Sequence, residues 1–219
     1  MNPVPQTVSY SLSEIEALAV KAARGAGYCW GLAEEAGMAA RWLAQAGQPG
    51  PSLLMACLEA PRGAAPVIDG QTWSANGDNR LCPLITGATL SDRASLAGGP
   101  GGAGVTLCNL GFPALILPFA AAAARRLGLA LRVDWDGVAV CLSPEAGLGA
   151  GLTDGLLASH APLVKITSEL GAVVPDLVGA QLLVPLADWK ALERLALATT
   201  VPATSRSRAG AGSASSDND

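Results

Sequence analysis

Apolar residues recur at helical spacing along the first sixty residues of the chain. Ser11 and Glu14 form a capping-box pattern, S-L-S-E, which predicts the start of a helix. Behind it, Ile15, Leu18 and Ala22 fall on one face, because positions three and four residues apart lie side by side on a helix. The pattern therefore predicts a first amphipathic helix, which a pair of glycines ends.

Two further helices are predicted, from about Leu32 to Ala46 and from Pro51 to about Glu59. The apolar stripe of the second helix consists of alanine and leucine, so the first two helices can approach each other closely. Gly37 inside the second helix costs about 1 kcal/mol relative to alanine, and close packing can offset that cost. We expect an antiparallel helical unit at this end of the chain.

Beyond residue 60 the composition changes, and short apolar runs separated by turn-forming residues predict strands. Asp136-Gly137 lies between two such runs and signals a hairpin turn. The predicted strands are 105–110, 129–133, 138–142, 163–167 and 181–184, and the predicted helices are 114–127 and 188–199. The fold class is therefore α+β or α/β, with an N-terminal helical unit packed on a mixed or antiparallel sheet and with a C-terminal helix.

Composition also divides the chain into three parts. We predict that residues 1–60 form the N-terminal helical unit and residues 61–202 the mixed α/β portion of the same domain. Residues 203–219 are small and polar, which predicts a flexible tail.

The charge balance narrows the choice of partners. The 219 residues carry a net charge of -4, and the sequence pI is about 5.0, which argues against nucleic acid or an anionic membrane as the partner. The first ten residues lack the features of a secretory signal. The longest apolar run, Leu110 to Ala124, is shorter than the roughly 20 residues that a membrane-spanning helix needs.

The five cysteines are widely spaced, their number is odd, and none forms a C-x-x-C pair. A structural zinc site needs clustered cysteine or histidine ligands, so we expect no metal. The spacing predicts free, buried thiols and a cytoplasmic location.

Two other motifs invite a chemical interpretation. The run Gly98–Gly104 contains G-x-G-x-x-G, but it precedes a predicted strand, whereas a dinucleotide-binding loop precedes a helix. We therefore expect a flexible surface loop and no cofactor. His160, the one histidine, lies near Ser159 and Asp154, but Ser159 lacks the strained elbow of a serine nucleophile. The sequence therefore leaves any catalytic residue unknown.

Charged residues surround Trp30 in the turn between the first two helices. An indole beside carboxylates and cations can form a small recognition pocket. The interpretation that we favour is that Trp30 closes the end of the helix pair, with the charges on solvated faces. The candidate ligand-binding residues here are Lys21, Arg24, Trp30, Gly31, Glu34 and Glu35.

A second candidate group is Asp78 and Asn79, which Trp73 and Arg80 flank. Their oxygen atoms could contact a polar ligand, although asparagine and aspartate more often form turns. These two residues complete the set of candidate ligand-binding residues.

Three segments resemble a known bacterial family. They are S-L-S-E-I-E-A-L at 11–18, K-A-A-R-G-A-G at 21–27 and W-G-L-A-E-E-A-G at 30–37. The chain resembles the domain-of-unknown-function family DUF3726, common in alphaproteobacteria. The family's similar length implies a resemblance along essentially the whole chain, including the terminal Asp217-Asn218-Asp219, but it implies no activity.

We therefore expect a small-ligand-binding or accessory subunit in the cytoplasm, without a known catalytic motif of its own. One alternative is an enzyme that acts on a small polar metabolite through Asp/Glu acid–base chemistry. Another is a structural subunit of a homo-oligomer. A small polar metabolite and a protein are both open as partners, and so is enzymatic activity.

Overall fold

The computed structural model describes residues 6–144, 154–169 and 183–199. The helices are α1 (Leu12–Gly25), α2 (Trp30–Gln45), α3 (Gly50–Glu59), α4 (Pro83–Asp92), α5 (Leu117–Leu127) and α6 (Leu186–Leu197). The strands are β1 (Thr7–Ser9), β2 (Val67–Asp69), β3 (Thr72–Ser74), β4 (Val105–Gly111), β5 (Ala130–Trp135), β6 (Val138–Leu142), β7 (His160–Glu169) and β8 (Leu183–Pro185). Short 3-10 helices span Pro113–Ile116 and Asp154–Leu157. The fold is α+β, which confirms one of the two predicted classes.

The predicted capping box begins α1. The Ser11 Oγ accepts a hydrogen bond from the Glu14 backbone N–H at 3.2 Å, and the Glu14 carboxylate accepts one from the Ser11 N–H at 2.8 Å. Behind this cap, Ile15, Ala19 and Ala22 are buried against α2. The helix pair predicted at the N-terminal end is confirmed.

Small residues let α1 lie close to two neighbouring helices. A Cβ atom on Gly37 of α2 would lie 2.5 Å from the Val20 Cγ2 of α1, so this position has no room for a side chain. A Cβ on Gly25, at the end of α1, would collide with the Leu195 carbonyl oxygen of α6. Gly37 thus lies where α1 and α2 pack closely, as predicted from its position inside a helix.

The C-terminal helix α6 packs on α1, next to the N-terminal helices. Strand β1 pairs antiparallel with β8, just before α6 begins. The Tyr10 ring stacks on the Trp189 ring of α6, with 3.5 Å between ring centroids and 6° between ring planes. This contact holds α6 to the start of α1. The predicted division near residue 60 stays a prediction.

The larger sheet has the strand order β2-β3-β4-β7-β5-β6. Strands β3 and β4 pair in parallel and the other pairs are antiparallel, so the sheet is mixed. Side chains alternate along the strands, and the buried ones, such as Leu131, Val133 and Val164, form a core with α5. The β5–β6 hairpin turns at Asp136 and Gly137, both at positive φ (40° and 82°), as their sequence predicts.

Much of the Gly98–Gly104 run is packed against the protein, whereas Gly102 and Ala103 are exposed at the surface, so the expectation of a surface loop holds only in part. The Trp73 indole N–H donates to the Gly98 carbonyl at 3.1 Å, and a Cβ on Gly99 would collide with the Arg93 carbonyl oxygen. Gly99, Gly101 and Gly104 are packed too closely against neighbouring atoms to carry a Cβ atom, whereas Gly102 is exposed. The run precedes β4, as predicted.

Candidate functional site

Lys21, Arg24 and Trp30, three of the predicted site residues, lie together at an open groove between helices. Lys21 and Arg24 come from α1, Trp30 begins α2, and the C-terminal half of α6 forms the opposite wall. The groove encloses about 680 Å³. It exists because α6 packs on α1, a contact between segments about 170 residues apart in the sequence.

The Trp30 indole is exposed, yet its position is fixed by two contacts. Its Nε1 donates to the Glu34 carboxylate at 2.8 Å, one helical turn away. The Arg24 guanidinium lies 5.6 Å from the centre of the ring, within the range of a cation–π contact. Arg24 is held in turn, because its Nη1 donates to the Tyr28 carbonyl oxygen at 2.7 Å.

Trp30 is 63% exposed, so the favoured interpretation that it closes the end of the helix pair was wrong. Its polar edge bonds to Glu34 at the surface, and the bundle end is filled by Tyr28, which is buried. Leu197, an apolar residue on the opposite wall of the groove, is 64% exposed. Two large exposed apolar side chains at one groove are typical of a binding surface.

The charges of the groove are unevenly placed. Lys21 is exposed and makes no ion pair with any described residue. The carboxylate of Glu193, on α6, accepts a hydrogen bond from the Trp189 indole at 3.0 Å. Since Trp189 stacks on Tyr10, before the start of α1, Glu193 is held toward that side, whereas Arg24 and Trp30 lie at the other end of α1.

Gly31, Glu34 and Glu35 follow Trp30 on α2, but their roles differ. Gly31 is exposed, and a Cβ there would meet nothing within 4 Å, so it leaves open space beside Trp30. Glu34 holds the indole edge. Glu35 does not line the groove; burial raises the pKa of its carboxyl group, and the nearby Asp92 and Glu34 carboxylates raise that pKa further.

Asp78 and Asn79 lie in the loop after β3 and do not line the groove. The Asn79 side chain donates to the Asn76 carbonyl at 2.8 Å, a contact within its own turn. The Asn79 backbone carbonyl oxygen accepts a hydrogen bond from the Asn109 side-chain amide at 2.9 Å. The structure therefore does not unite this pair with Trp30, and the turn-forming role is the one that the contacts support.

Asn109 and His160 form a polar contact that the sequence did not reveal. The His160 Nε2 lies 2.6 Å from the Asn109 Oδ1, and Asn109 has φ 58°, in the left-handed region. The two residues lie on the neighbouring strands β4 and β7, where His160 pairs with Gly111, and these strands are far apart in sequence. The strained backbone at Asn109 leaves no signal in the sequence, because asparagine occurs in many ordinary turns.

Of the five cysteines, Cys57 and Cys82 are buried, Cys108 and Cys141 are partly exposed, and Cys29 is exposed. The expectation of buried thiols was therefore wrong for Cys29. Burial, and then the neighbouring Cys82, raise the pKa of the Cys57 thiol to about 12. The Tyr28 hydroxyl lies 3.5 Å from the Cys82 Sγ, which links the N-terminal helices to the start of α4.

Across the three described ranges, histidine, cysteine, aspartate and glutamate side chains form no group of three or more that could hold a metal ion. Within the same ranges, no helix combines the length and the apolar character needed to cross a bilayer.

Comparison with known proteins identifies one family. Residues 10–80 match the family described as "Protein of unknown function (DUF3726)", which confirms the resemblance predicted from the sequence. The match covers α1 to α3, the β2–β3 hairpin and the loop with Asp78 and Asn79, and it does not extend to the predicted likeness at the end of the chain. No curated protein and no solved structure matches this chain.

Proposed function

We propose that this chain is a small-ligand-binding module, or the ligand-binding part of an accessory subunit, and that the groove between α1, α2 and α6 is its site. The observation that carries the proposal is an exposed indole, held by Glu34 and Arg24, beside about 680 Å³ of open space. Ligand sites of about 300–1,000 Å³ that combine apolar walls with a few polar groups are usual in proteins.

The fixed position of Trp30 favours binding of a ligand. A side chain that is already ordered loses little conformational freedom when a ligand contacts it, which would otherwise weaken binding by about 0.5–1.5 kcal/mol. Leu18, Val20 and Ala196 supply apolar surface to the walls of the same groove. The groove is thus organised before any ligand arrives.

Binding is better supported than Asp/Glu acid–base catalysis. Glu193 is the carboxylate that lines the groove within the described part of the chain, and its Oε1 is engaged by the Trp189 indole. Asp78, the other predicted carboxylate, belongs to a different surface. An enzyme would need a proton-transfer group within reach of the reacting atom.

We also propose a bacterial, cytoplasmic protein, because the family resemblance is to a bacterial family and the cysteines are free. The net charge of -4 supports a partner other than nucleic acid or a membrane surface. Assembly into a homo-oligomer or with another protein is the second candidate, because Trp30 and Leu197 expose apolar surface together.

The test is a thermal-shift screen of carboxylic acids, amino acids, amines, sugar phosphates and nucleotides, followed by titration of tryptophan fluorescence. A ligand at 100 times its Kd should stabilise the protein by about 2.7 kcal/mol. We expect binding to be lost in Trp30→Ala and retained in the matched control Leu96→Ala, which truncates an exposed side chain elsewhere. The absence of any stabilising compound would contradict the proposal.

A further inference from the structure

The distribution of charge along the groove indicates what kind of ligand it takes. Lys21 and Arg24 are three residues apart on α1, so their side chains lie on neighbouring positions of one helical face. Both line the groove at the end where Trp30 lies. One end of the groove therefore carries two positive charges.

Part of this charge has a structural role, and part does not. Arg24 lies in the last turn of α1 and donates to the Tyr28 carbonyl, so it stabilises the helix end. Lys21 has no carboxylate partner among the described residues, and its side chain is exposed at the groove. An arriving anion can pair with Lys21 without breaking an existing ion pair.

The negative charge of the groove is held away from these cations. Glu193 bonds to Trp189, which stacks on Tyr10 at the opposite end of α1. Apolar side chains line both walls, with Leu18 on α1 and Leu197 on α6. The groove thus combines two cations near Trp30, a carboxylate held toward Tyr10 and apolar side chains on both walls.

We propose that the ligand is an amphiphilic organic anion, a proposal that rests on the function proposed above. Its carboxylate or other acid group binds between Lys21 and Arg24, and its apolar body lies along Leu18, Leu197 and the Trp30 ring. Pairing of the acid group with the cations fixes the orientation of the ligand. Burial of its apolar body stabilises the complex by about 25 cal/mol per Å² of apolar surface removed from water.

Two series of small molecules, each with one apolar body and a different charge, test this proposal through their binding affinities. 1-Naphthoate, 1-naphthalenemethanol and 1-naphthylmethylammonium share an aromatic body and carry negative, zero and positive charge. Octanoate, 1-octanol and octylammonium repeat the series with an aliphatic body. Isothermal titration and tryptophan quenching of the full chain give Kd for each probe, and the two series show whether an aromatic or an aliphatic body is preferred.

We expect at least one anion to bind more tightly than its neutral and cationic counterparts, with an affinity that falls as salt rises from 50 to 500 mM. Lys21→Gln should weaken anion binding about threefold to tenfold, and Lys21→Glu should favour the cationic probe. The matched control Lys190→Gln removes an exposed lysine from α6 outside the groove and should change nothing. Glu193→Gln should leave anion binding unchanged or strengthen it.

Different results overturn the two proposals. If neutral or cationic probes bind as tightly as the anions and binding depends on Trp30, the groove is a ligand site but the anionic class is wrong. Anion binding that is unaffected by both Lys21 variants also overturns the class. If no probe or screened compound binds, or if the chain forms an oligomer that Leu197→Ser dissociates, the groove is no ligand site and both proposals fail.

Discussion

Trp30 shows that an aromatic residue can be fixed in position without being buried. Its Nε1 bonds to Glu34 and its face lies beside Arg24, so local contacts along α1 and α2 hold it. These contacts are worth roughly 0.5–1 kcal/mol each at an exposed site. Trp73 on β3, in contrast, is fully buried and belongs to the core.

We therefore expect Trp30→Ala to lower the free energy of unfolding by less than about 1.5 kcal/mol. Trp73→Ala, the matched control, should lower it by about 3–5 kcal/mol, because it removes a large side chain from a packed core. Urea unfolding followed by circular dichroism measures both. A loss of 3 kcal/mol or more for Trp30→Ala would mean that the ring is buried in solution.

Asn109 has a backbone conformation with an energetic cost. At φ 58° a β-carbon is crowded, and the left-handed region costs roughly 1–2 kcal/mol for most residues but little for glycine. Replacing Asn109 with either glycine or alanine removes the same contacts with His160 and Asn79. The difference between these two variants thus reports the backbone strain, reduced by the greater conformational entropy that glycine loses on folding.

We expect Asn109→Gly to be more stable than Asn109→Ala by about 1 kcal/mol, as measured by denaturant midpoints at constant m-value. Elsewhere in a strand the order should reverse, because glycine weakens regular β-structure. Equal stability of the two variants would show that residue 109 does not hold a positive φ in solution.

At the scale of elements, α4 is the helix that sequence reasoning missed. Its residues, P-L-I-T-G-A-T-L-S-D, show no clear apolar stripe, because the helix lies between the N-terminal helices and α5 and is covered on both sides. Gly87 allows this position, since a Cβ there would collide with the Phe119 ring. A buried helix without an amphipathic pattern leaves little periodic signal.

The α1–α2 contact gives a prediction at this scale. Gly37→Ala should destabilise the protein by about 1–3 kcal/mol, because the new Cβ would lie 2.5 Å from the Val20 side chain. Gly31→Ala, in the first turn of the same helix, meets nothing within 4 Å and should be neutral or stabilising by up to about 1 kcal/mol.

Thermal unfolding of the two glycine variants, with the double variant Gly37→Ala/Val20→Ala, checks the mechanism. Removing the Val20 methyl groups should restore part of the stability lost in Gly37→Ala, because the two side chains compete for one space. A Gly37→Ala protein as stable as wild type would show that α1 and α2 lie further apart.

At the scale of the whole molecule, local signals were predictable and distant contacts were not. The Ser11 cap and the turn at Asp136-Gly137 depend on a few adjacent residues, and the structure has both. Lys21, Arg24 and Trp30 could be grouped because the short connection between α1 and α2 brings them close together in the sequence. Glu193 and Leu197, on the opposite wall of the groove, could not, because nothing in the sequence specifies where α6 docks.

The docking of α6 gives the last prediction. Tyr10→Ala removes the ring stacked on Trp189, a contact worth about 0.5–1.5 kcal/mol beyond the area that it buries. We expect faster amide hydrogen exchange in α6 and in β8, with little change in β5 or β7. Exchange that accelerates equally throughout the protein would instead indicate global destabilisation.

Gly25 has a consequence for the dimensions of the groove. The α6 backbone approaches α1 at a position where a single methyl group would collide with the Leu195 carbonyl. An alanine there would force the two helix axes apart and shift Leu197 with them. A relative with a larger residue at position 25 should therefore have a wider cleft and select bulkier molecules, even if Lys21 and Trp30 were unchanged.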